Sequence, residues 1–160
     1  MIKDISQTDI PECVRVIRES FRTVADEFGI TTENAPRFTA FATTEDRLSW
    51  QLNEEHRPMY AYYDNGRIVG YYSLLLQENG ECELNNLSVL PELRHKGIGG
   101  ELLNHALNVA KALGCKKMNI GIVEENQRLR KWYESFGFAH TRTQKFDFFP
   151  FTCGYMVRKL

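Results

Sequence analysis

Apolar residues change their spacing along this chain in a way that marks out its elements. Ile2 to Ile5 reads as a short first strand. Asp9 with Glu12 predicts a capping pair for a helix whose Ile10, Cys13, Val14, Ile17 and Phe21 share one face. From Phe28 to about Thr44 the pattern is irregular and polar, with Gly29 and Pro36 as breakers. A second helix is predicted from Glu45 to Glu55 on a thin stripe of Leu48 and Leu52. Met59 to Asp64 and Arg67 to Gln77 flank Asn65-Gly66, a strong hairpin signal. Leu84 to Val89 is a short apolar strand. Beyond Leu90-Pro91, the residues Leu102, Leu103, Ala106, Leu107, Ala110 and Leu113 repeat at helical spacing and Gly114 marks the stop. Lys117 to Val123 alternates as a half-buried strand does. Leu129, Trp132, Tyr133 and Phe136 then share a helical face, opened by Asn126 and ended by Gly137. Phe138 to Phe146 and Gly154 to Arg158 read as closing strands around the aromatic loop 147–151.

The resulting order is β-α-α-β-β-β-α-β-α-β-β, an α/β fold with a mixed sheet and helices on both faces. The hairpins argue for antiparallel pairing, and the two later strand–helix units allow one parallel join. At 160 residues, with no repeat or linker, the expectation is one domain over residues 1–160. One conflict stands out in the fourth strand. Glu83 and Asn85 share alternation parity with Leu87 and Val89, so a regular strand would put a carboxylate and a core leucine on one face. A bulge near Asn85-Asn86 resolves this; an edge-exposed Glu83 with solvated asparagines is the other reading.

Twenty Lys and Arg stand against 21 Asp and Glu, a formal net charge of −1. That balance argues against nucleic acid or anionic membrane as partners. The start lacks the charged and apolar regions of a leader, and the longest apolar run, near Tyr71 to Leu76, is far short of a membrane span. Cys13, Cys82, Cys115 and Cys153 lie far apart and read as buried free thiols, so the expected compartment is the cytoplasm. His56, His105 and His140 have no companion at ligand spacing; His56 and His105 read as surface residues, and no metal is expected.

Candidate chemistry concentrates after the fourth strand. Arg94-His95-Lys96-Gly97-Ile98-Gly99-Gly100 forms a basic, glycine-rich turn into a helix. Glycines let main-chain N–H groups approach a ligand, and the helix start adds partial positive charge, a combination suited to phosphate oxygens. Neither Gly-x-x-x-x-Gly-Lys-Ser/Thr nor Gly-x-Gly-x-x-Gly is present. The spacing instead resembles the Arg/Gln-x-x-Gly-x-Gly/Ala pyrophosphate motif of GNAT (Gcn5-related) N-acetyltransferases. The Asn126 to Tyr133 helix, closing on Gly137-Phe138, is similar to a second motif of that family. Together they span roughly residues 82–138, about a third of the chain.

The resemblance implies acetyl-CoA as cosubstrate and a primary amine, on a small molecule or a peptide, as acceptor. It implies that the main chain around Leu87, Ser88 and Val89 binds the pantetheine arm and polarises the acetyl carbonyl. The N–H groups of His95 to Gly100 would hold the diphosphate. Arg94 and Lys96 would add charge, or simply form a solvated basic face. Asn126 would touch the arm as well as cap its helix. Tyr133 would face the departing sulfur. Glu83 sits where many members carry their base, with a surface carboxylate as the plain alternative. A homodimer is a family-level expectation.

For the acceptor pocket the resemblance points to residues 21–50 and 146–152. Their acids (Asp26, Glu27, Glu33) and aromatic rings would suit a cationic amine, although loop acids are commonly just solvated. Two further readings stay open: an acyl-CoA sensor of the same fold without turnover, and a nucleotide-binding domain outside this family.

Overall fold

The computed structural model describes residues 1–160. Hairpin pairing dominates its first half. Strands β2 (Met59–Asp64) and β3 (Arg67–Leu76) pair from Asp64↔Arg67 onward, so the loop is Asn65-Gly66, with φ 52° and 76°. Both values lie in the left-handed region that two-residue hairpin loops require, and Asn and Gly tolerate it best. Strand β1 (Ile2–Asp4) adds antiparallel to β2, and β4 (Glu81–Val89) adds antiparallel to β3.

The second half joins in parallel. Strand β5 (Lys117–Val123) pairs with β4 only at Glu81↔Lys117, Cys82↔Met118 and Glu83↔Asn119. On its other side β5 is paired along its whole length with β7 (Thr152–Lys159), and β6 (Ala139–Lys145) closes the edge. The sheet order is therefore β1-β2-β3-β4-β5-β7-β6. The last strand in sequence is slotted between β5 and β6, a placement that alternation alone does not reveal.

Helix α1 (Ile10–Phe28) buries Ile10, Cys13, Val16 and Ile17, with Val14 and Phe21 half-buried, and ends at Gly29 in the left-handed region. Its start differs from the expected capping pair. The reciprocal cap is Ser6 with Asp9, one turn earlier, where the Ser6 N–H donates to Asp9 Oδ2 at 2.9 Å. Glu12 instead accepts from the Ile68 N–H of β3 at 2.8 Å. A one-turn helix α2 (Thr39–Ala42) lies in the stretch read as irregular, and α3 (Glu45–Asn53) follows, capped by Thr44. Helix α4 (Ile98–Ala112) faces the sheet with Leu102, Leu103, Ala106, Leu107 and Ala110, and α5 (Gln127–Ser135) follows β5.

Strand β3 is buried from Ile68 to Leu74 because helices cover both its faces. The Tyr72 hydroxyl meets His105 Nδ1 of α4 at 2.8 Å, which corrects the reading of His105 as a surface residue. Leu75, of opposite parity, lies beside α2 and α3. A second apolar cluster of Ala25, Ile30, Ala35, Phe38, Ala40, Val123 and Phe151 roots the segments flanking α2 and the aromatic loop. Those apolar residues follow no period, so the sequence pattern looked merely polar there. Cys13 and Cys82 are buried free thiols as expected; Cys115 and Cys153 are only partly covered.

Gly70 of β3 has no room for a side chain. An added Cβ would lie 2.7 Å from Leu102 Cδ1 and 3.2 Å from the Ser88 carbonyl oxygen. Gly70→Ala is therefore expected to destabilise by about 1–3 kcal/mol, read as a lower urea midpoint. Gly121→Ala, whose Cβ would meet only the Tyr155 ring at 3.8 Å, is expected to leave the midpoint nearly unchanged.

Candidate active site

The site starts where two strands part. Beyond Glu83↔Asn119 neither strand pairs with the other, and a notch opens between Leu84–Val89 and Ile120–Val123. Along the notch β4 carries the expected bulge. Tyr71 pairs with Ser88 and Ser73 with Asn85, so Asn86 and Leu87 together face the single Tyr72, and Asn86 has φ 55°. A bulge re-aims the strand locally and leaves main-chain groups outside the ladder. Leu87 and Val89 are half-buried at the notch and Ser88 is buried, its hydroxyl donating to the Asn86 carbonyl at 2.7 Å.

At the end of β4 the chain turns through Pro91–Leu93 into α4. His95 and Gly97 both adopt left-handed φ, 63° and 86°, which folds the turn back on itself. The main-chain N–H groups of His95, Lys96, Gly97, Ile98, Gly99 and Gly100 donate to nothing inside the protein, whereas the next, Glu101, donates to the Gly97 carbonyl at 3.0 Å. A run of unpaired N–H groups at a helix start is an anion cradle. Its shape is supported from two sides. Trp132 and Phe136 of α5 lie against Gly99 and Gly100, where an added Cβ would stand 3.5 and 3.3 Å from their rings. Arg94 reaches the other way: its guanidinium donates to Thr23 Oγ1 at 2.8 Å and to the Ser20 carbonyl at 2.9 Å on α1. Arg94 thus ties the turn to α1 and its charge is not free in the cradle, while Lys96 is exposed.

Helix α5 opens at Asn126, 8% exposed, whose Oδ1 accepts from the Leu129 N–H at 3.3 Å. Tyr133 follows two turns later, 7% exposed and packed edge-on to Trp132 and Phe138. Burial pushes its phenol pKa well up, so the hydroxyl stays protonated at neutral pH. On β4, Glu83 is partly buried on the face turned toward α2 and α3, where it lines a cavity of about 280 Å³ with Asn85, Asn86, Gln51 and Arg57. Desolvation raises its carboxyl pKa, partly offset by the nearby Arg57 charge and the Asn85 amide. A larger depression of about 530 Å³ runs along α1 by Arg15, Arg18 and Arg22 and contains none of these residues.

The model of the acetyltransferase (GNAT) family matches residues 21–138. The chain belongs to that family. It is 27% identical over 139 residues to an uncharacterized N-acetyltransferase of Mycobacterium bovis, covering 87% of this chain and 88% of the other. In fold it is similar to the ribosomal-protein-S18-alanine N-acetyltransferase of Escherichia coli, with a TM-score of 0.78 at 16% identity over 99% of this chain and 92% of that one. The PaiA N-acetyltransferase of Thermoplasma acidophilum, solved in complex with coenzyme A, superposes with a TM-score of 0.75 at 20% identity over 100% and 98% of the two chains.

The residues singled out in sequence fall on three neighbouring elements, with Arg94 turned away to α1. Leu87 to Val89 form the β4 wall of the notch, His95 to Gly100 its far end, and Asn126 and Tyr133 belong to the helix that packs on the turn. Glu83 stands at the point where the strands part. Strand β4 also carries Glu81, whose Oε1 accepts from the Asn119 amide at 3.2 Å. The acids expected to favour a cation do not line the cavity, and Asp26 and Glu27 belong to the last turn of α1. Asp26 and Glu33 are exposed, and Glu27 pairs with Arg128 at 2.6 Å. Guanidiniums line it instead: Arg37, Arg47 and Arg57. Sequence reasoning missed them because they come from separate segments, joined only by the fold. It also missed the partner of His140, whose Nε2 lies 2.9 Å from both carboxylate oxygens of Glu124.

The raised Glu83 pKa fixes a stability signature. Between the ordinary carboxylate pKa and the higher folded value, the folded protein holds a proton that the unfolded chain releases. Stability therefore falls as pH rises through that window. Glu83→Gln is expected to melt above the unmodified protein at neutral pH, with the difference closing below pH about 4. Equal melting temperatures at all pH values would contradict the burial assigned to this carboxylate.

Proposed function

We propose that this protein is an N-acetyltransferase that uses acetyl-CoA as donor and a primary amine as acceptor. The observation that carries the reading is the set of unpartnered N–H groups from His95 to Gly100 at the end of a strand notch. A diphosphate held there lets the pantetheine arm run along Leu87, Ser88 and Val89, with the Asn126 amide on its other side. The thioester then comes to rest between Tyr133 and the bulge.

The chemistry has three demands. An amine with a pKa of about 10.4 arrives protonated, and Glu83 takes its first proton. A raised carboxyl pKa suits that task, because a stronger base holds the proton better. As nitrogen attacks, negative charge grows on the carbonyl oxygen, and a main-chain N–H at Leu87 stabilises it, an effect typically worth about 3–4 kcal/mol for one donor. The carbon–sulfur bond then breaks. Tyr133 donates to the leaving sulfur, and the second proton lost by nitrogen balances the one the thiolate gains. Full transfer from tyrosine is uphill by about 2 kcal/mol at reference pKa values, and burial of Tyr133 steepens it. Tyr133 accordingly acts as a hydrogen-bond donor whose proton moves late.

The test is thiol release from acetyl-CoA across a panel of amines, with Tyr133→Phe beside the unmodified protein. The expected outcome is turnover with at least one amine and a loss on the order of 10²-fold in kcat for the variant, with CoA affinity retained. Coenzyme A, but not ATP or NAD, is expected to raise the melting temperature by mass action. Tight CoA binding without turnover of any amine would make the protein an acyl-CoA sensor. Stabilisation by ATP or NAD alone would remove it from CoA chemistry.

A further inference from the structure

We infer that the acceptor is a small amine of amino-acid size that also carries an anionic group, held by Arg37 and Arg47 while its amine lies at Glu83. This rests on the acetyl-transfer reading above. The cavity beside Glu83 measures about 280 Å³, and Glu83 is the one carboxylate among its lining residues, against Arg37, Arg47 and Arg57. These three guanidiniums are compensated unequally. Arg57 is satisfied by Glu55, with Nε and Nη2 donating to the two carboxylate oxygens at 3.0 and 3.3 Å. Arg37 has no carboxylate partner and lies 5.0 Å from the Phe148 ring centroid. Arg47 is exposed and its side chain makes no ion pair.

Glu55 pairs with Arg57, so the cations of the lining left without a carboxylate partner are Arg37 and Arg47, both exposed. A guanidinium fork fits a carboxylate or a phosphonate with two parallel bonds. The other end of the ligand meets Glu83, whose carboxylate is the acceptor an ammonium group requires. Gln51, 5% exposed, lines the same cavity, but its Oε1 is wholly shielded from it. Asn85 and Asn86 of the bulge form part of the same wall. An amine at Glu83 then has its anionic end directed to Arg37 and Arg47 of the same lining. The volume suits an amino acid rather than a folded polypeptide surface.

The experiment uses matched pairs that differ only in the anionic group: L-phenylalanine with phenethylamine, L-methionine with 3-(methylthio)propylamine, and 1-aminoethylphosphonate with ethylamine. Each is titrated calorimetrically into the full-length protein saturated with CoA, and each is assayed separately for thiol release from acetyl-CoA. In at least one pair the acid-bearing member is expected to bind at least tenfold more tightly, about 1.4 kcal/mol. The first two pairs against the third distinguish carboxylate from phosphonate. Arg37→Gln with Arg47→Gln, both exposed and so compatible with folding, is expected to cut that preference below about threefold without changing CoA affinity. The inference is overturned if no acid-bearing amine binds, if the partners lacking the acid bind as tightly in every pair, or if the preference survives the double variant. Preferential binding without thiol release supports the pocket assignment and removes the acetyl-transfer reading, so the two fail separately.

Discussion

Strands β4 and β5 run side by side for three residue pairs and then separate, and the site depends on that separation. Strand β5 can leave its neighbour because β7 holds its other edge from Lys117 to Val123. Strand β4 can leave because β3 holds it, with the bulge at Asn86 absorbing the change in direction. Two well-paired half-sheets are thus hinged at Glu83↔Asn119. The notch between them exposes main-chain groups that a continuous sheet would have consumed. In water those groups are solvated at little loss, which is why the fold tolerates a split sheet and why a ligand with matching polar groups can replace the solvent.

Around that opening, local order is maintained by contacts made elsewhere. The turn after β4 holds His95 and Gly97 in the left-handed region, and Arg94 fixes it by bonding to Ser20 and Thr23 on α1. From behind, Trp132 and Phe136 press on the glycines that begin α4, so the helix bearing Tyr133 packs directly against the turn bearing the free N–H groups. The acceptor side is supported differently. The cluster of Phe38, Phe151 and Val123 ties the start of α2 to the aromatic loop and to the end of β5, and α3 supplies Gln51 to the cavity that Glu83 lines. Preorganisation on the donor side is thus chiefly main-chain, and on the acceptor side chiefly charge. A carboxylate kept partly out of water, as Glu83 is, lowers stability at neutral pH and raises basicity by the same physical effect.

Much of this is legible in the spacing of apolar residues along the chain. Elements with a clean period emerged with correct or nearly correct limits: β2 and β5, the Asn65-Gly66 hairpin, and α5 between Asn126 and Gly137. The clash of parity between Glu83 and Leu87 pointed to a bulge, and the bulge is there. Alternation reports which face of a segment is buried but not which segment lies beside it. For that reason β7 between β5 and β6, the reach of Arg94 to α1, and the bond from Glu12 to Ile68 could not be read from the pattern. The acceptor cavity is the strongest case. Its arginines are spread from Arg37 to Arg57, its carboxylate comes from β4, and the acids that looked suited to a cation, Asp26, Glu27 and Glu33, lie outside it.

The account stands on main-chain N–H groups gripping linked phosphates, so the most direct measurement is a crystal structure of the protein with coenzyme A. It predicts diphosphate oxygens about 2.7–3.2 Å from several of the N–H groups between His95 and Gly100, with the thiol directed toward Tyr133. A diphosphate bound elsewhere, for example along Arg15, Arg18 and Arg22 on α1, with those N–H groups facing only water, would contradict it.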